Sequence, residues 1–353
     1  MADESDNRHV ACSDCFEDQG LRLDARRIGQ PSDNRCPKCH SSTGRKLSAD
    51  TLGQLAHRFF VWGSIHRCDY GAAPVIQFNE HQKTSIAVSP WLVNDVKLFE
   101  EALGVGFFHY GPRLWMVGEI VPLNDLQDRE KQPKIIDRIL DEYPSRILET
   151  SRELYRIRKD PKHPHDPSEY DSPPDGAASH GRLDSEFVAA LYTSEDLDVC
   201  THECRITAED EIFVATLRPT QPLKMLDLTV LVKEEVTEFE SLDLAVHMLF
   251  LAGQHSYPIT RNLSVAAKKA EYDGVIYPSY FSLLRLGIMP FQTTYGLSNR
   301  RIPQFQEYEQ NTAVPNAAIF GRPIAERRIQ VKCINRLVLS QVAYDFRFGP
   351  VSN

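Results

Sequence analysis

The sequence predicts an α+β protein built in three parts. Three observations carry that reading: two Cys-x-x-Cys pairs within the first 39 residues, apolar residues at helical spacing from Ser48 onward, and a C-terminal half of short strand-like runs with few helices between them. With 353 residues the chain is long enough for two domains plus a small module. Its net charge of −9, with no run of five or six like charges, argues against a nucleic-acid-binding surface, because phosphate neutralisation needs clustered Lys and Arg. An anionic ligand must therefore be held by a few placed arginines.

Residues 1–46 are poor in aliphatics and cannot bury a core alone. Within them, Cys12-Ser-Asp-Cys15 and Cys36-Pro-Lys-Cys39 form two knuckles twenty residues apart. A tight Cys-x-x-Cys turn presents two thiolates together, and two such turns complete the tetrahedral shell that zinc prefers. The spacing predicts a zinc ribbon with Cys12, Cys15, Cys36 and Cys39 as ligands. Four thiolates leave no open position, so the Zn2+ is structural. Cys68, Cys200, Cys204 and Cys333 lack ligand spacing and read as core residues.

Residues 47–150 read as a mixed, mostly helical domain. Leu52, Leu55, Ala56, Phe59 and Phe60 lie at helical spacing, with Ser48 or Asp50 as cap. A second helix is expected from Trp91 to Leu103, strands between Gly104 and Leu123, and a third helix over Lys134–Leu154 with Ile147 on its apolar side. Pro144 would kink that helix or start a new one. Lys159–His180 holds five prolines and three histidines and reads as a long functional loop more readily than a linker. Residues 151–353 then run through ALYTS, EIFVATLRP, LKMLDL, GVIYPS, AAIFGRP and RIQVKCINRLVL as strands, with helical segments around Glu195–Cys204 and Leu242–Leu251. No apolar run is long enough to cross a bilayer, and the start lacks the apolar stretch of a signal peptide, so a cytoplasmic protein is expected.

Polar residues interrupt these strands: Arg156 in LYRIR, Arg182 in HGRLDSE, Tyr192 in ALYTS, Glu203 in THECR and Ser279 in GVIYPS. In this order, with Tyr192 ten residues after Arg182 and Glu203 eleven after Tyr192, they resemble the RES domain, over roughly Leu154 to Val351. This sequence departs from the family in having Leu183-Asp184 after the Gly-Arg step and a long proline-rich segment before it. Residues 47–150 are similar, more weakly, to the HEPN-like region that accompanies larger RES proteins. The string Arg158 to His163 does not sit at a helix start and gives no support to ribonuclease activity.

The resemblance implies an ADP-ribosyltransferase-like fold that consumes NAD+ by glycohydrolysis or phosphorolysis, in a bacterial toxin or defence effector restrained by an antitoxin or regulatory protein. It leaves a homo-oligomer open. In that chemistry Glu203 would face the cationic ribose, Arg156 and Arg182 would grip the pyrophosphate, and Tyr192 would pack on the ligand while its hydroxyl orients it. Ser279 would hydrogen-bond substrate or Glu203. No His-plus-acid pair is present to make Ser279 a nucleophile. Arg158 and Arg205 are second choices, with ion pairing as their ordinary role, and His180 is a further phosphate contact. Two other readings stay open: transfer of ADP-ribose to a protein, and a zinc-ribbon interaction scaffold with a degenerate C-terminal domain. The joint presence of Arg182, Tyr192, Glu203 and Ser279 argues against the scaffold.

Overall fold

The computed structural model describes residues 9–68, 70–110, 119–174, 181–287, 299–343 and 345–351. They form two compact units, one of Met1–Cys68, Ala72–Arg113 and Ala343–Asn353, the other of Asp69–Gly71 and Leu114–Val342.

In the first unit, β1 (His9–Cys12) leads through the first knuckle into α1 (Gln19–Ile28), a helix between the two Cys pairs that the sequence reading lacks. Asp18 caps it by accepting from Leu21 N at 2.9 Å, and the Asp95 carboxylate takes the N–H groups of Glu17 and Asp18 at 2.9 and 2.8 Å. β2 (Lys46–Ser48) pairs antiparallel with β1, and Ser48 caps α2 (Ala49–Ala56), which runs on into a wider turn over His57–Val61. β3 (Ile65–Cys68) pairs with β4 (Gly71–Pro74), and β5 (Ile76–Asn79) with β6 (Gly106–His109). α3 (Val93–Leu103) closes on Gly104, whose φ of +67° is one that glycine adopts freely. Phe16, Leu21, Ala25 and Leu47 share one core with Leu52, Phe59, Phe60, Phe99 and Phe107. The aliphatic-poor N-terminal segment thus folds by lending a few side chains to the core of the helices that follow it. Phe348 packs against the same core, and the Gly63 backbone lies so close to Phe348 and Gly349 that a Cβ there would sit 2.4 Å from the Phe348 carbonyl oxygen.

The second unit is built on one eight-stranded sheet. Its strands are β7 (Ser145–Leu148), β8 (Leu154–Lys159), β9 (Ala190–Ser194), β10 (Ile212–Pro219), β11 (Leu223–Asp227), β12 (Gly274–Pro278), β13 (Pro315–Phe320) and β14 (Ile329–Leu337). They lie in the order β14-β10-β8-β9-β13-β12-β11-β7, antiparallel at every step except β11–β12. A parallel pair needs a long crossover, and here that connection carries α7 (Leu242–Leu251) and α8 (Tyr257–Lys269). With α4 (Val121–Gln127) and α5 (Gln132–Glu142) they cover one face, where Leu126, Ile139, Val246, Leu249 and Leu263 meet Val275, Tyr277, Ala318 and Phe320. The alternate residues Ile276, Ala317 and Ile319 point the other way, into a core with Leu148, Leu217 and Ile329 from the outer strands. α6 (Leu197–Glu203) and α9 (Gln306–Asn311) also belong to this unit. Among the described residues no helix is long and apolar enough to cross a membrane.

Three expectations change. The helix expected over Lys134–Leu154 ends at Glu142; Pro144 stops it, Ser145–Leu148 pairs with β11, and Ile147 is 47% exposed. The boundary placed at 150 therefore falls inside the sheet, since α4, α5 and β7 belong to the same compact unit as the strands beyond it, while Ala343–Asn353 lies with the first unit. Of the strands expected between Gly104 and Leu123, β6 is present, residues 111–118 lie outside the described residues, and Val121 opens a helix with Pro122 in its first turn.

A buried ion pair braces α7. Arg300 donates Nε and Nη2 to the two Asp243 oxygens at 2.9 and 3.0 Å, and both side chains are almost fully buried. Glu309, 4% exposed, faces the pair; burial holds its carboxyl above the usual range, and Arg300 only partly offsets this. A carboxyl with a raised folded-state pKa gives stability that is present at low pH and lost as pH rises through that pKa. Glu309→Gln is therefore expected to raise the melting temperature of this unit at neutral pH, with the gain vanishing near about pH 4. In the same melts Asp243→Asn, which strands a buried guanidinium, should cost about 3–5 kcal/mol. A Gln variant that is no more stable at pH 7 than at pH 4 would refute the assignment.

Candidate functional site

The Sγ atoms of Cys12, Cys15, Cys36 and Cys39 all lie within 4.8 Å of one another, and none forms a disulfide. Cys12 stands 3.9 Å from Cys15 and 3.4 Å from Cys39, and Cys15 stands 3.5 Å from Cys36. Zn–S bonds of about 2.3 Å in a tetrahedron place sulfurs roughly 3.8 Å apart, so the cluster fits zinc. Burial, then hydrogen bonding to Cys39, pushes the Cys12 thiol up to about 12, and burial raises Cys15 as well. Such thiols ionise at neutral pH only against a bound cation, which zinc supplies. Gly44 makes room for the Cys12 sulfur, because a Cβ there would lie 2.6 Å from Cys12 Sγ. Elemental analysis of the purified protein should find a single zinc per chain, and Cys36→Ser should lose it together with a lowered unfolding midpoint. A metal-free protein with an unchanged melt would overturn the assignment.

In the second unit, Arg156, Arg182, Tyr192 and Glu203 line one cavity of about 300 Å3, walled also by Phe250, Tyr257, Tyr277 and Asn316. Ser279 joins them through Glu203. Glu203 is the last residue of α6, and its Oε1 accepts from Ser279 Oγ at 2.6 Å and from Asn316 Nδ2 at 2.7 Å. Ser279 Oγ also accepts the Phe281 N–H at 3.1 Å, so its proton is committed to the carboxylate. Asn316 is a partner that sequence reasoning missed; an Asn placed against the apolar pattern of PNAAIF was its only signal.

The arginines differ in what holds them. Arg156 projects from β8 and donates to the Tyr192 carbonyl at 3.0 Å and the Asp171 carbonyl at 3.3 Å. Its buried Nε has no hydrogen-bond partner among the described residues. Burial and then Arg158 pull its pKa down to about 10, so it remains a cation at neutral pH. Arg182 donates to the Leu249 and Ala252 carbonyls at 2.8 and 2.9 Å, completing the C-terminal end of α7, and stacks over Tyr257 with its guanidinium carbon 5.0 Å from the ring centre. It therefore carries a structural duty as well as a place on the cavity wall. Arg158 and Arg205, read as ion-pairing residues, make no ion pair among the described residues and do not line the cavity, and His180 lies outside them.

Tyr192 differs most from its expected role. Its hydroxyl donates to Asp184 Oδ1 at 2.7 Å and accepts the N–H groups of Leu183 and Asp184 at 2.7 and 3.0 Å. The hydroxyl is spent within the protein, and only the ring is offered to the cavity. Burial and the Asp184 charge raise its pKa well above normal. Gly181 belongs to the same latch, since a Cβ there would meet Asp184 Oδ1 at 2.1 Å and the Tyr192 hydroxyl at 2.5 Å. The proline-rich segment packs onto the sheet rather than linking domains: Tyr170 is fully buried, and Asp171 accepts from Ala325 N at 2.9 Å. Residues 175–180 of that segment lie outside the described residues. Cys200 and Cys204 line the cavity, Cys333 is exposed rather than core, and the side chain of Cys68 lies outside the described residues. Tyr192→Phe leaves two N–H groups and a carboxylate oxygen without this partner and should cost about 1–3 kcal/mol in denaturant unfolding. An unchanged unfolding free energy would sink the latch.

Comparison with known proteins bears on residues 153–312, which match the family model described as the RES domain. No curated protein matches the chain. Among solved structures, the M. tuberculosis MbcT–MbcA toxin–antitoxin complex aligns with a TM-score of 0.34 at 16% identity, over 58% of this chain and 92% of that chain. Residues 153–312 of this chain are thus identified as a RES domain.

Proposed function

We propose that this RES domain consumes NAD+ by cleaving its nicotinamide–ribose bond, with water or phosphate as acceptor. The observation that carries the reading is the Glu203 carboxylate, fixed through one oxygen by Ser279 on the wall of a cavity that also presents Arg156 and Arg182. As the C1′–N bond breaks, its electron pair leaves with neutral nicotinamide, and positive charge gathers on the ribose. The acceptor oxygen then bonds to C1′ and releases its proton. A carboxylate beside the sugar stabilises that charge, and removing it should cost roughly 3–4 kcal/mol, or two to three decades in rate. Arg156 and Arg182 suit the two pyrophosphate charges, because planar guanidinium groups bind such oxygens bidentately. The aromatic walls from Tyr192, Phe250 and Tyr257 suit flat rings. Glu203 itself is exposed, which leaves the acceptor a path to the sugar.

We read the activity, in line with the RES resemblance, as that of a toxin or defence effector restrained by an antitoxin. The test is nicotinamide release from NAD+ by purified protein, with and without phosphate, beside Glu203→Gln. Release by wild type and a fall of about two to three decades in the variant is the expected result. Phosphate dependence would assign phosphorolysis, and radiolabel retained on protein would move the reading to ADP-ribose transfer. No release by folded, zinc-loaded protein would overturn it.

A further inference from the structure

We propose that Asn316 is a positioning residue for the proposed reaction: together with Ser279 it pins one oxygen of Glu203 so that the other is presented to the substrate. The inference rests on the NAD+ reading above and adds a residue to it. Asn316 is 4% exposed and stands in β13, directly across from Tyr277 of β12 and Ser194 of β9. Its Nδ2 reaches Glu203 Oε1 at 2.7 Å, and Ser279 Oγ reaches the same oxygen at 2.6 Å. The carboxylate oxygen only accepts, so the Asn316 amide must face it with its NH2 group. Two donors converging on one oxygen fix both the rotamer and the plane of the carboxylate. Oε2 receives no hydrogen bond among the described residues, so it is the oxygen left to meet positive charge on a ribose.

Neither donor is a cation. Arg156 and Arg182 lie on the same wall, yet Glu203 makes no ion pair among the described residues. An amide and a hydroxyl orient the carboxylate without neutralising it, as an arginine at that place would. Buried polar groups in a strand cost stability unless they are paired, and Asn316 is paired to the one side chain on which the chemistry depends. The cavity is also lined by Tyr155, Tyr257 and Tyr280, and by Tyr192, Tyr277, Cys200 and Cys204, whose pKa values burial raises, so those four stay neutral near pH 7.

The experiment compares Asn316→Ala and Asn316→Asp with wild type and Glu203→Gln in the nicotinamide-release assay. If Asn316 positions Glu203, Asn316→Ala should lose about a hundredfold in kcat with little change in KM, since a carboxylate freed to rotate is misplaced in the reaction rather than in binding. Asn316→Asp keeps the size of the side chain and so guards against mere misfolding. Two carboxyls that close cannot both ionise readily, and a shared proton restores one donor. That variant should therefore gain an ionisation absent from wild type, with activity falling as pH rises. A fully active Asn316→Ala beside an inactive Glu203→Gln would overturn the positioning role while leaving NAD+ cleavage standing. A pH profile for Asn316→Asp that parallels wild type would do the same. No release by wild type would overturn both.

Discussion

The register of four neighbouring strands is the constraint on which the site depends. β12, β13, β9 and β8 lie side by side, and the pairings Tyr277 with Asn316, Asn316 with Ser194, and Ser194 with Tyr155 set one row straight across the sheet. All four residues of that row line the cavity. Strand side chains alternate between faces, so a slip of one residue anywhere would turn the row away from the cavity and bring apolar neighbours such as Ile276 and Ala317 into its place. The two cores on opposite faces prevent that slip, because it would expose each of them. The positions of the polar groups are thus secured by apolar packing, most of which lies away from the cavity.

The same economy appears around the arginines. An acidic chain cannot attract an anion by its overall field, and the structure places its cations locally instead. Arg182 is held by the carbonyls that end α7, and those carbonyls carry the negative end of the helix dipole. Arg156 is held by two carbonyls, one from β9 and one from the proline-rich segment. Both guanidinium groups are oriented by neutral acceptors, which fix direction and leave the charge unspent. The Tyr192–Asp184 latch supports the loop from which Arg182 projects, and Gly181 is the residue that lets the latch close.

Much of this was legible in the sequence because it depends on local pattern. The knuckles are recognised by spacing, and the strands from Ala190 to Leu337 announce themselves as short β-branched and aromatic runs between turns. The helix at Leu242–Leu251 matched its apolar run to the residue, since it is buried nearly all round. What was not legible depends on distant partners. Ser145–Leu148 reads as the end of a helix until β11 is beside it, and Phe348 is counted with the C-terminal domain until it meets the core of the first unit. Arg156, Arg182, Tyr192, Glu203 and Ser279 were named from their order along the chain, yet the duties of Tyr192 and Arg182 follow from hydrogen bonds that span 8 to 70 residues. Asn316 forms its bond across 113 residues, and no local rule marks it.

Glu203 illustrates why such a site must be built from far apart. It ends α6, where the unsatisfied carbonyls of the last turn disfavour a carboxylate. An isolated helix would prefer Lys or Arg at this position, so local preference and the proposed chemistry oppose each other. The opposition is settled by donors from β12's end and from β13, each worth about 1.5–3 kcal/mol as a hydrogen bond to a charged group. That exceeds the few tenths to one kcal/mol of an exposed helix-terminus penalty. Had the sequence answered the penalty with an adjacent arginine, the carboxylate would be stable and its field largely cancelled. Holding it with an amide and a hydroxyl keeps the charge that a developing ribosyl cation needs, at the cost of tying the site to the register of the whole sheet.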